Sequence, residues 1–164
     1  MAKNLLSQEL TDVLNLQIAH EIYNANLYLF IAGYLKNKGL DNLAEKFIGQ
    51  WKEETEHSKL IFDFLTDMNA KVVMETIDSV DFEISTMSSI SSFYLDREVL
   101  TTTSLEEIKK MCIEESNGVA EEFLRQMINQ QRAELEEAST FYDEMQLIGD
   151  AWALVKLYDL GIGE

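Results

Sequence analysis

Six polar side chains occupy positions where a helix should turn apolar residues toward a core. Glu21 shares a helical stripe with Leu14, Ile18, Ala25 and Tyr28. Glu54 shares one with Phe47, Trp51, Ile61 and Leu65, and His57 lies one turn further along. Glu98 falls among Tyr94, Leu95, Thr101 and Leu105, while Gln131 and Glu134 fall among Leu124, Met127, Ile128, Leu135, Ala138 and Phe141. Carboxylates buried in this way are costly unless they are paired or bound to a cation. Four of them with one imidazole point to a metal site. Carboxylate oxygens plus one imidazole suit iron or manganese, and the absence of thiolates argues against a zinc–thiolate or iron–sulfur centre.

The spacing repeats. Glu21 and Glu54 are 33 residues apart, and so are Glu98 and Gln131. Two helical hairpins would therefore bring their polar residues to one level, as a pseudo-twofold dinuclear site requires. Di-iron carboxylate bundles use one Glu from each of two helices and Glu-x-x-His from each of the others. Here Glu54-x-x-His57 fits that scheme, whereas the second pair reads Gln131-x-x-Glu134. The stretch EETEHSK divides between two faces: Glu54 and His57 turn inward, while Glu53 and Glu56 turn away. Glu56 has Lys52, Glu53, Lys59 and Leu60 as turn neighbours, which is a solvated face. His20 is about 100° around the helix from Glu21 and reads as solvated too. Glu114, Glu115, Glu121 and Glu122 read as surface acids around a helix break.

The elements that must position these residues follow from periodicity. Leu10, Val13, Leu14, Ile18, Ile22, Leu29 and Ala32 recur at helical spacing after Ser7, a plausible N-cap with Glu9 in the first turn. Gly39 stops this helix, which would be about 45 Å long. Asp41 can cap a second helix running to about Asn69. From Lys71 to Ser88 no helical stripe is sustained, which suits a crossover between the two ends of a bundle. A third helix spans roughly Ser89 to Glu115, Asn117-Gly118 marks a break, and a fourth runs from about Val119 to Leu147. After Gly149 the short segment AWALVKLYDL is helical and largely apolar. The pattern predicts one all-α domain over 1–164: a ferritin-like four-helix bundle with one long crossover and a short C-terminal fifth helix.

Bulk properties agree. The chain has 164 residues, no proline and seven glycines, which favours long helices over turn-rich β folds. The net charge of −17 repels phosphate backbones, so no nucleic-acid partner is expected, and it concentrates cations. No segment approaches the roughly 18 apolar residues of a membrane span. A single cysteine, Cys112, and an N-terminus without an apolar leader predict a cytoplasmic protein.

The segments LNLQIAHEIYNANLYLFIAGY, WKEETEHSKLIFDFL and QQRAELEEA resemble the non-haem bacterial ferritins, over nearly the whole chain from Leu10 to Leu160. The third helix, YLDREVLTTTS, carries the resemblance mainly through Glu98. By position, Glu21, Glu54 and His57 match the ligands of a first iron. Glu54 also bridges to a second iron, which Glu98 and Glu134 complete. Gln131 matches a glutamine near that centre, and Tyr28 a neighbouring tyrosine that can supply an electron. The resemblance implies a ferroxidase that oxidises Fe(II) with dioxygen or peroxide. It further implies storage of Fe(III) mineral in a homo-oligomeric 24-subunit shell, with the fifth helix at a symmetry axis. Glu53 and Glu56 would face the cavity, similar to the acids that seed mineral. An accessory iron site of the family would draw on Glu53, Gln130, Ala133 and Glu134, two of which supply no anionic oxygen here. Bacterioferritins and rubrerythrins, the peroxide-reducing alternative, would place a second Glu-x-x-His at Gln131 and Glu134. Its absence, with a lone cysteine, points to ferritin proper. A metal-free interaction protein would leave the buried glutamates unpaired.

Overall fold

The computed structural model describes residues 3–162. Four long helices, α1 (Gln8–Asn37), α2 (Asp41–Asp67), α3 (Met87–Glu114) and α4 (Gly118–Ile148), precede a short α5 (Trp152–Ile162). Three of the long helices start on a local side-chain cap. The Ser7 side chain accepts from the Leu10 backbone N–H, and Asn117 does the same for Ala120. Thr86 and Ser89 form a capping box at the start of α3. Gly39, at φ +70°, turns the chain between α1 and α2.

Asp41 does not cap α2. Leu40 occupies the cap position without a side-chain bond, and Asp41 sits in the first turn. The missing acceptor comes from α5: Asp159 Oδ1 accepts from the Leu43 backbone N–H at 2.8 Å. Asn42 Nδ2 donates to the Asp159 carbonyl at 2.8 Å, and Lys156 bonds the Gly39 carbonyl. The fifth helix thus completes the second. On its inner side Val155 is buried, while Leu154, Leu157 and Leu160 remain exposed.

The crossover between α2 and α3 is pinned by Asn15, a buried residue of α1. Its Nδ2 donates to the Lys71 carbonyl at 3.0 Å, and its Oδ1 accepts from the Val73 N–H at 2.8 Å. Further along, Phe82 stacks on Phe93 of α3 at 4.1 Å between centroids.

The apolar core comes in two blocks. One joins the C-terminal half of α1 to the start of α2, the start of α3 and the end of α4, around Tyr28, Phe47, Tyr94 and Phe141. The other joins the opposite ends of the same helices, around Leu14, Ile61, Leu105 and Leu124. Both blocks draw on all four helices, and a polar layer separates them. Leu29, read as part of the first helix's apolar pattern, is exposed instead.

Candidate metal centre

Each long helix contributes to that layer: Glu21 from α1, Glu54 and His57 from α2, Glu98 from α3, Gln131 and Glu134 from α4. The i,i+3 spacing of Glu54 with His57, and of Gln131 with Glu134, puts each pair on one helix face. All six are buried; Glu134, the most open, is 8% exposed. Every residue picked from the core stripes reaches the same level of the bundle.

Two triads of ligand atoms form there. One atom each from Glu21, Glu54 and His57 lie within 4.8 Å of one another, and so do one each from Glu54, Glu98 and Glu134. Glu54 belongs to both. Glu21 Oε2, both Glu54 oxygens, His57 Nδ1 and Glu134 Oε2 are buried without a hydrogen-bond partner among the described residues. Bare buried acceptors are rare because each forfeits its hydration. Here five converge, and two cations between the triads would satisfy them.

The other atoms of the same groups are held. Gln17 Nε2 donates to Glu21 Oε1 at 2.7 Å. Glu98 accepts from the Tyr28 hydroxyl on Oε1 and from Gln131 Nε2 on Oε2, the latter at 2.6 Å. His57 Nε2 lies 3.1 Å from Glu134 Oε1. An imidazole donating there offers its Nδ1 lone pair to the first triad. Gln131 donates to Glu98 through Nε2, and its Oε1 is also buried without a partner among the described residues.

Burial dominates the electrostatics. It raises the Glu21 carboxyl well above its ordinary range, and the neighbouring Glu54 charge adds to this. Burial also raises Glu54 to about 8. Glu98 is raised by burial to about 7, against the hydrogen bonds from Tyr28 and Gln131. For His57 burial disfavours the charged ring, but the hydrogen bond and charge of Glu134 outweigh it and its pKa rises. Burial and the Glu98 charge keep the Tyr28 hydroxyl protonated, hence a donor. A cation entering at neutral pH must displace protons from this layer.

Residues outside the layer divide as follows. Glu53 and Glu56 are exposed, with Glu53 accepting from Gln50 Nε2 at 3.1 Å. His20 is half-buried and engaged with α3 rather than fully solvated. Its Nε2 is 2.7 Å from Thr101 Oγ1, and burial, followed by the Arg97 charge, lowers its pKa to about 4. Gln17 escaped the sequence reading, although it lies one turn before Glu21 and on the same face.

The chain is similar to known proteins in sequence and in fold. The profile of the ferritin-like domain family matches residues 11–148. A bacterial non-heme ferritin of Staphylococcus epidermidis is 27% identical over 155 residues, covering 94% of this chain and 93% of the relative. A probable bacterial non-heme ferritin-like protein of Haemophilus influenzae is 24% identical, covering 97% and 96%. Crystal structures of an open pore ferritin from the archaeon Archaeoglobus fulgidus superpose with a TM-score of 0.92 at 26% identity, covering 98% of each chain. An engineered closed form of that ferritin gives 0.90 at 27% identity, covering 96% of each. With a buried four-helix carboxylate layer and a family match over most of its length, the chain belongs to the ferritin-like domain family.

Proposed function

We propose that the chain is the subunit of an iron-storage ferritin whose substrate, Fe(II), is oxidised in the carboxylate layer. One observation carries the reading: two ligand triads that share Glu54. Glu21, Glu54 and His57 hold one Fe(II), and Glu54, Glu98 and Glu134 hold the other. Four ionised carboxylates carry four negative charges, which two divalent ions neutralise. Oxidation of both irons supplies the two electrons that, with two protons from water, take dioxygen to hydrogen peroxide. It also leaves the layer with two excess positive charges. Hard oxygen ligands favour the ferric state, while the excess charge drives hydrolysis and departure of the product. Tyr28 and Gln131, both bonded to Glu98, hold that ligand in position.

The whole chain forms a single domain that assembles with its copies into a 24-subunit shell in the cytoplasm. The exposed Leu154, Leu157 and Leu160 on α5 support this assembly. Glu53 and Glu56 then line the cavity and seed mineral. No helix among the described residues is long and apolar enough to cross a membrane. The test is native mass spectrometry with iron analysis of the purified protein, alongside oxygen uptake on Fe(II) addition. A 24-mer consuming about one dioxygen per two Fe(II) is expected. A monomer that does not accelerate Fe(II) oxidation would refute the reading.

A further inference from the structure

We propose that Gln17, braced by Ser104, is the positioning residue for Glu21 and sets the affinity of the first cation; this rests on the di-cation reading above. Gln17 is 2% exposed. Its Nε2 donates to Glu21 Oε1 at 2.7 Å, and its Oε1 accepts from Ser104 Oγ of α3 at 2.5 Å. An ionised carboxylate only accepts, so the amide must turn its NH2 group toward Glu21. The Ser104 hydroxyl then donates to the amide oxygen, and both ends of the chain from Ser104 through Gln17 to Glu21 are satisfied. Donors aligned head to tail in this way polarise one another toward the carboxylate. The bond occupies Oε1 and leaves Oε2, buried and unpartnered, for the triad with Glu54 and His57.

The other half of the layer explains why Gln17 matters more than its counterpart. Glu98 has two donors, Tyr28 and Gln131, so it keeps one when the other is lost. Glu21 has only Gln17 among the described residues. Gln17 and Ser104 also line a 290 Å³ surface cleft between α1 and α3, together with His20 and Glu107. Without the amide, water from the cleft would compete for Glu21 Oε1 and leave the carboxylate free to rotate. Residues that orient ligands typically change metal affinity by about 10- to 100-fold.

The experiment titrates Co(II), a redox-stable probe, anaerobically into the metal-free assembly, followed by visible absorption and calorimetry. Wild type should bind two Co(II) per subunit; if it does not, the di-cation reading itself fails. Gln17→Leu should weaken one of the two ions by about 10- to 100-fold and leave the other unchanged. Ser104→Ala should weaken the same ion by less, and Ser104→Thr, which keeps the hydroxyl, should match wild type. Wild-type affinity for both ions in Gln17→Leu, or an equal loss at both, overturns the proposal. Should Gln17→Leu not fold, the serine pair decides: Ser104→Ala indistinguishable from Ser104→Thr overturns it.

Discussion

The two halves of the carboxylate layer share Glu54 and differ in how the rest is held. In the first, Glu21 rests on one amide and the third ligand is an imidazole. In the second, all three ligands are carboxylates, and Glu98 is held by a hydroxyl and an amide together. Pseudo-twofold symmetry pairs Gln131 with Glu54, yet one position carries a carboxylate common to both triads and the other a neutral amide. A second bridging carboxylate would have added a buried charge that two divalent ions could not neutralise. The glutamine instead supplies a hydrogen bond that stabilises the ionised Glu98. At Glu98 the hydrogen bonds from Tyr28 and then Gln131 oppose the burial that raises it to about 7. The halves are thus unequal in ligand type and in how their carboxylates are held.

The comparison breaks most sharply at the shared residue. Glu54→Ala should abolish tight binding of both ions and slow Fe(II) oxidation by more than about 100-fold, because ligand loss exceeds the loss of a supporting contact. His57→Ala should remove only the first ion and leave one Co(II) per subunit in the same titration. Two ions in either variant would dissolve the division into halves. The helices should stay intact by circular dichroism. The metal-free Glu54→Ala protein should melt no lower than wild type, since an uncompensated buried carboxylate is itself unfavourable.

A smaller effect is expected with pH. Folding raises Glu54 and Glu98 from the ordinary 4.5 to about 8 and about 7. Between those limits the folded chain binds more protons than the unfolded one, so stability falls as pH rises. The melting temperature of metal-free protein should therefore decline from about pH 5 to pH 8. Self-repulsion of the net charge of −17 works in the same direction, so Glu54→Gln is the control. Its decline should be shallower; an identical slope would show that Glu54 is not a proton store.

The smallest effect concerns a third ion beside the second half. Of the four positions that the resemblance assigns to such an ion, Glu53 and Glu134 are acidic, Gln130 is neutral and Ala133 has no ligand atom. Lys46, whose charge acts on Glu53, pairs with Glu137 and lies over the Tyr94 and Phe141 rings. Anaerobic Fe(II) titration should saturate its tight phase near about two ions per subunit, the number the two triads hold. Ala133→Glu with Gln130→Glu should add a weaker third. A tight third ion in the unmodified protein would mean that the lost carboxylates are unimportant on this face.

Helices and metal layer were legible in the sequence because both rest on local periodicity. Glu21, Glu54, His57, Glu98 and Glu134 interrupt apolar stripes that a reader can count. The helix ends fell within about two residues of their observed positions, as is usual where Ser, Asn and Gly mark them. What stayed hidden depends on partners far away in the chain. Asp41 looked like a cap because the real acceptor, Asp159, lies 116 residues from the amide it bonds. His20 looked solvated because Thr101 and Arg97 arrive from another helix. Gln17 carried a signal, its place one turn before Glu21, but its bond to Ser104 spans 87 residues.

The two apolar blocks have a consequence for folding itself. Leucine-rich helices packed side by side can slip by a turn, about 5.4 Å, and still bury comparable apolar area. In this bundle such a slip would drive Glu21, Glu54 or Glu98 into Leu14, Ile61 and Leu105 on one side, or into Phe47 and Phe141 on the other. A misplaced Glu21 or Glu98 would then be stranded in hydrocarbon, away from Gln17, Tyr28 and Gln131, at a cost of roughly 3–5 kcal/mol. That is comparable to the lower end of a whole domain's stability. The residues gathered for iron therefore also act as a register mark, permitting one vertical alignment of four helices that apolar packing alone would leave ambiguous.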